Sequence, residues 1–253
     1  DLLLLGKLDR INEIKKVLAS NLDIKDLGKC HKFLGININY HEDGSVGLHQ
    51  ADYIDKLLAE FNMEDVYPLS TPIHLAEKLK VVDDKGFTPE KYRTAVGSFQ
   101  YLANCTRPDL AYTASYFGQF NDKSTPELWT RLTRVFRYLK GSKDMELTYR
   151  RTKQPVRILC DADWASDSTD RKSYSGMTVL LAGATVSWHA RKQHSTALSS
   201  VESEYISLTE TAKEVVWLRG LMKELQLPEL IGDPTPVLMD STGAMNMATN
   251  QMT

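Results

Sequence analysis

The order of periodic segments in the last hundred residues constrains the fold more than any other feature of the chain. "VRILCDA", from Val156, reads as a strand, and "YSGMTVLL" and "TVSWHA" are two more joined at Ala182-Gly183-Ala184, hence a hairpin. "SSVESEYISLTETAKEVVWLRGLMKEL" is a long helix, "TPVLMD" a further strand, and "STGAMNMATN" the start of another helix. Strand, hairpin, helix, strand, helix is an α/β arrangement on a mixed sheet. The first strand ends unusually, in "RILCDADWA": two acids, Asp161 and Asp163, close an otherwise apolar run. Carboxylates are costly to bury without a partner, so their presence asks for an explanation.

Two more acids stand at similar places. Glu204 lies near the start of the long helix, and Asp240 ends "PVLMD". The carboxyl ends of strands in α/β folds are where ligand groups gather. Acids converging there repel one another unless cations neutralise them, and hard oxygen donors suit Mg²⁺. A pair of such ions can activate water in phosphodiester cleavage. Asp161 and Asp163 are two apart on an extended chain, so they share a face and either can reach such a site. On the helix, Glu202 and Glu204 point apart, because two residues turn about 200°. The apolar stripe reads Val201, Tyr205, Leu208, Ala212, Val215 and Met222. Glu204 borders it, whereas Glu202 has capping-box spacing from Ser199. Acids at strand ends and helix starts also serve as caps and turn formers, and spacing alone leaves that alternative open.

Upstream, "DLLLLG" reads as the end of a strand, and "LDRINEIKKVLASNL" as an amphipathic helix. "HKFLGININYHEDGSVGLHQ" gives two strands around Glu42-Asp43-Gly44, and "ADYIDKLLAEFNM" a helix with Tyr53, Leu57, Leu58 and Phe61 on one face. Residues 65–90, with Pro68, Pro72, Gly86 and Pro89, read as a boundary or linker. Two helices follow, "PEKYRTAVGSFQYLANC" and "TPELWTRLTRVFRYLKG". The second is punctuated by Thr125 as N-cap, Pro126 at the first helical position and Gly141 past the end.

The chain of 253 residues is long enough for one or two domains with a sizeable core, and 42% hydrophobic, 25% charged and net charge −2 fit a globular protein. No apolar run approaches the ~18 residues of a membrane span, and no signal-peptide layout appears. Cys30, Cys105 and Cys160 are far apart, which argues against a disulfide framework or zinc site and fits a reducing compartment. His189 and His194 lack partners at metal-ligand spacing.

"CDADWA", "RKSYSG", "SWHARKQ", "ALSSVESEY" and "VVWLRGLMKEL" resemble, in order, the ribonuclease H domain of copia-type (Ty1/copia) retrotransposon polyproteins. "DLLLLG", "DLGKCHKFLGI", "YIDKLLAEFNM", "STP", "YRTAVGSFQYLANCTRPDLAY" and "VFRYLKGSKDMELTY" resemble the end of the same family's reverse transcriptase. The resemblance is collinear over nearly the whole chain. It implies an α/β (α+β) fold: residues 1–75 as the end of the palm and the thumb, 76–152 as a helical connection, and 153–253 as a ribonuclease H-like domain. It implies that Asp161, Glu204 and Asp240 match three of four metal-binding nuclease carboxylates, with Mg²⁺ the expected ion, Mn²⁺ the alternative, and Asp163 a further candidate ligand. Asp1 looks like the second aspartate of the polymerase Y-x-D-D motif, and Phe33, Leu34 and Gly35 like part of the primer-grip hairpin.

The resemblance also implies an intracellular protein, in a cytoplasmic virus-like particle or the nucleus, with an RNA–DNA hybrid and the rest of the Pol polyprotein as partners. Measured against the family pattern, the fingers, most of the palm and the fourth nuclease carboxylate are expected to be missing, so DNA synthesis by this chain alone is not expected. Two readings stay open: a Mg²⁺-dependent nuclease acting on the RNA of hybrids, and a catalytically dead remnant that is at most a nucleic-acid-binding module. Duplex binding needs local cations to neutralise phosphates. Arg134 and Arg137 on the second helix, with Arg171, Lys172, Arg191 and Lys192 flanking the hairpin, are the expected contacts; a solvated helix face is the other reading for the arginines of 131–137. Trp129, Trp164, Trp188 and Trp217 read as core aromatics, Trp164 being the one placed to lie near substrate.

Overall fold

The computed structural model describes residues 1–74, 87–152, 154–167 and 170–250. Its first 49 residues hold α1 (Leu8–Asn21), β1 (Lys32–Phe33), β2 (Ile36–Tyr40) and β3 (Val46–His49). Residues 1–6 form no strand, against expectation: among the described residues nothing pairs with them, and a strand needs a partner for its backbone groups. The amphipathic stripe of α1 is present, but the helix buries no residue.

Four helices build the larger apolar core: α2 (Ala51–Glu60), α3 (Pro89–Cys105), α4 (Ala111–Gly118) and α5 (Pro126–Gly141). α3 and α5 start alike. Thr88 and Thr125 accept from the N–H three residues on, and proline follows each at the first helical position, where its missing N–H is no loss. Phe61, Phe99, Trp129 and Phe136 pack ring on ring at the centre, with Phe61 and Phe136 centroids 4.8 Å apart. Residues 64–71 run along α5 and are tied to it by Lys140, Arg137 and Arg134. Residues 147–149 depart from the helical expectation for 76–152: they form β4 (Leu147–Tyr149), which pairs with β3 and completes an antiparallel sheet ordered β1-β2-β3-β4.

The second sheet is ordered β7-β6-β5-β8, from β5 (Arg157–Asp163), β6 (Tyr174–Leu181), β7 (Ala184–Lys192) and β8 (Val237–Leu238). β5, β6 and β7 run antiparallel, and β8 lies parallel to β5, so the sheet is mixed and the fold α+β. The β6–β7 turn is Ala182-Gly183, both with positive φ (56° and 86°), and Leu34-Gly35 makes the same turn between β1 and β2. Two consecutive positive-φ residues give the twist that a two-residue hairpin needs, and glycine reaches that conformation without strain.

α6 (Ser200–Glu224) crosses one face of this sheet, closing a small core of Val156, Ile158, Met177, Val179, Leu218, Met222 and Ile231, and α7 (Thr242–Thr249) packs on α6. The other face meets the helical core. Trp188 Nε1 donates to Ala103 O (2.6 Å), Tyr149 donates to Thr185 O (2.7 Å), and the Tyr112 and Tyr174 rings meet edge-on at 4.9 Å. The four tryptophans part company: Trp129 is core, Trp188 half-buried at this junction, Trp164 and Trp217 exposed.

Candidate metal centre

The sheet-facing side of α6 is made of Ser203, Ser207 and Thr211, not of the stripe Val201, Tyr205, Leu208 and Ala212 that hydrophobicity suggests. Small side chains let the helix lie close on β5: Ser207 Oγ donates to Asp161 O (2.8 Å), and Thr211 Oγ1 to Ser207 O (2.9 Å). Buried Gln193 pins the start of the same helix, its Nε2 donating to Ser203 O (2.9 Å) and Ser175 Oγ (3.0 Å). Ser199 caps α6 through Glu202 N (3.1 Å), and Glu202 reaches back to Leu198 N (2.7 Å), so its carboxylate is spent on the cap.

Glu204, one turn in, faces the sheet. It meets Asp161 of β5 and Asp240, which follows β8 and precedes the α7 cap Ser241. One oxygen from each carboxylate lies within 4.8 Å of the others, with Asp161 and Asp240 exposed and Glu204 buried. Glu204 Oε2 has no hydrogen-bond partner. Burial, then the charge of Asp161, push its carboxyl up to about 7, while a hydrogen bond from Ala162 N–H pulls the other way and Asp240 adds to the rise. The Cys160 thiol behind them is also pushed up, chiefly by burial, with the three carboxylates adding to it. All three cysteines are free.

Asp163 is not among the converging oxygens; its charge is felt instead at Tyr112, whose hydroxyl burial and Asp163 push up to about 12. Asp1 is exposed ahead of α1 and stands outside the group. Phe33, Leu34 and Gly35 form the β1–β2 turn. Tyr101 donates to Leu34 O (2.8 Å), and a Cβ on Gly35 would collide with its hydroxyl.

The basic residues divide. Arg134 and Arg137 have partners within the chain: Arg134 donates to Thr71 O (3.1 Å) and Arg137 to Tyr67 O (2.8 Å), so both tie the segment before residue 72 to α5. Lys192 is held by Asp167 and Asp170 (2.5 and 2.9 Å). Arg171 and Arg191 are exposed and Lys172 is half-buried. Trp164 lies over the loop before α6, donating to Ala197 O (3.2 Å). Ser207 and Gln193, which set the helix against the strand, are the residues that sequence reasoning misses. The spacing Ser203, Ser207, Thr211 is the signal that carries them.

A family model for reverse transcriptase (RNA-dependent DNA polymerase) matches residues 1–75. The chain is 34% identical over its whole length to a retrovirus-related Pol polyprotein from transposon TNT 1-94 of Nicotiana tabacum, spanning 19% of that protein. It is 34% identical over 92% of its length to the Pol polyprotein from transposon RE2 of Arabidopsis thaliana, spanning 16% of it. A putative transposon Ty5-1 protein of Saccharomyces cerevisiae is 33% identical over 81% of the chain and 67% of its own length. No solved structure matches. The chain belongs to the copia-type retrotransposon Pol family, and it spans less than a fifth of the two Pol polyproteins. Among the described residues no helix is long and apolar enough to cross a membrane.

Proposed function

We infer that residues 153–253 form a ribonuclease H-like unit following the end of a reverse transcriptase, and that it hydrolyses the RNA strand of RNA–DNA hybrids with a divalent cation. One observation carries this: carboxylates from β5, from the first turns of α6 and from the end of β8 converge within 4.8 Å although 43 and 36 residues separate them in sequence. Three acids at such separations meet only because the topology brings them together.

The donor set fits a divalent ion. It consists of hard oxygens, it repels itself without a cation, and Glu204 keeps a buried oxygen with no partner. Asp161, Glu204 and Asp240 would hold Mg²⁺, or Mn²⁺ in its place, which supplies an activated water and charge neutralisation at a phosphodiester. The chain's own part is positioning. Ser207 fixes the strand end that bears Asp161, Gln193 fixes the helix start that bears Glu204, and the α7 cap fixes Asp240. Arg171, Lys172 and Arg191, beside the hairpin, are the cations offered to the hybrid's phosphates, with recognition by shape and 2′-hydroxyls more than by sequence. The Phe33–Gly35 turn and Asp1 are assigned to the polymerase end by the same reading. The rest of a Pol polyprotein is the proposed partner for that end.

Hybrid cleavage in Mg²⁺ tests the assignment, using wild type and Asp161→Asn. Wild type is expected to release RNA fragments, and the variant to fall to background. Equal activity in both removes Asp161 from the reaction. Hybrid binding that persists in EDTA, with no cleavage in Mg²⁺ or Mn²⁺, replaces the nuclease by a binding module.

A further inference from the structure

On the face of the second sheet turned away from α6 lies a cleft of about 540 Å³, roofed by the turn at 108–110 and the start of α4. This is within the ~300–1,000 Å³ usual for small-ligand pockets. Its floor is Leu159 and Asp161 of β5, Gly176 and Thr178 of β6, and Trp188 and Ala190 of β7, which register places side by side. Its roof is Pro108, Ala111 and Tyr112. Asp161 and Asp240 close one end, so they belong both to the cleft and to the three-carboxylate group.

The lining has a definite chemistry. Indole, phenol and aliphatic carbons make up most of it, and both rings are fixed, Trp188 by Ala103 O and Tyr112 against Tyr174. The small residues Gly176, Ala190 and Ala111 keep the space open; a Cβ on Gly176 would meet nothing nearer than Asp161 O at 3.9 Å. The remaining acid, Asp109, is taken up by Arg107 and Tyr138. The carboxylates left facing the cleft are therefore the two of the cation group. An apolar, aromatic-walled slot that ends at a cation site suits a flat ring joined to an oxyanion.

We propose that this cleft receives the base of a nucleotide whose phosphate is held at the Asp161–Asp240 end. The inference rests on the cation reading above and adds to it a base-binding subsite walled by Trp188 and Tyr112. Binding assays on the full chain decide it, with Mn²⁺ followed by electron paramagnetic resonance and two ligands compared: adenosine 5′-monophosphate and ribose 5-phosphate, which lacks the base. In Mn²⁺ the wild type is expected to bind the nucleotide about tenfold tighter than the sugar phosphate, a difference of about 1.4 kcal/mol. Ala190→Leu on the floor and Ala111→Leu on the roof are each expected to erase that preference while melting as wild type does. Should neither variant fold, the wild-type comparison alone decides. Mn²⁺ binding with no preference for the base overturns the subsite and leaves the cation reading standing. Failure of Mn²⁺ to bind overturns both.

Discussion

α5 turns Trp129, Leu132, Val135, Phe136 and Leu139 inward. Over its first half, α6 turns Ser203, Glu204, Ser207 and Thr211 toward the sheet, and its apolar contact comes later, at buried Leu218 and Met222 with half-buried Val215 and Leu221 beside them. The first helix stabilises. Each large side chain it buries is worth about 1.5–3 kcal/mol of transfer free energy. The second gives up most of that gain along its first half, because bulky residues there would lift it off β5. Ser207 then could not reach Asp161 O at 2.8 Å, and Glu204 would be carried away from the two aspartates. Proximity at the site and apolar burial thus compete for the same helix face, and the other face of the sheet is held by the helical core at Trp188 and Tyr112 and by β4 at Tyr149.

The largest expected effect tests that division of labour. Phe136 is fully buried against Phe61, Phe99 and Trp129, so Phe136→Ala should cost about 3–5 kcal/mol, read as a shift in the urea midpoint at unchanged slope. If the helical core holds the nuclease-like unit in place, both units should unfold in one transition. Two separated transitions, with only the first moved by the variant, would break the comparison.

The acid cluster gives an intermediate effect with a definite sign. The folded protein raises the Glu204 carboxyl from its ordinary value near 4.5 to about 7, so without divalent cation it keeps a proton there that the unfolded chain releases. Stability from this group is full below pH 4.5 and is lost as pH rises through about 7, by at most about 3 kcal/mol and less once solvent screens the carboxylates. Urea titrations in EDTA at several pH values between these limits should show the decline, and Glu204→Gln should flatten it. An unchanged slope in the variant would mean that another group carries the effect.

How much of this was legible in the sequence follows from the same contrast. α3 matches its reading, and α5 differs only at its end, where Gly141, expected past the helix, is its last residue and Ser142 the cap; apolar periodicity, threonine caps and proline at the first position all agree. The β6–β7 hairpin and the three acids were legible as well, since turn chemistry and strand ends are local signals. The buried face of α6 was not: hydrophobicity looks for large residues, while close approach selects small ones. α4 escaped because it lies between the helical core and the second sheet, apolar on most sides and so without a clear stripe. β4 is three residues long, and its partner β3 is about a hundred residues earlier, a pairing that no window sees. Charge patterning left the outer face of α5 open between a ligand surface and a solvated face, and could not show that Arg134 and Arg137 also fasten a segment far away in sequence.

That outer face supplies the smallest effect and the sharpest separation of structure from binding. Arg134 donates to Thr71 O and Thr71 Oγ1 at 3.1 and 2.8 Å, fastening the segment that leads from α2 along α5. Arg134→Ala should therefore cost about 1 kcal/mol in stability through lost hydrogen bonds. A guanidinium that neutralised a phosphate would contribute about one unit to the slope of log affinity against log salt. The expectation here is no change in that slope for an RNA–DNA hybrid, whereas Arg191→Ala, beside the acid cluster's sheet, should reduce it by about one. Were Arg134→Ala to lower the slope while leaving the urea midpoint where it was, α5 would present its basic face to nucleic acid after all, and the helix that builds the core would share in binding.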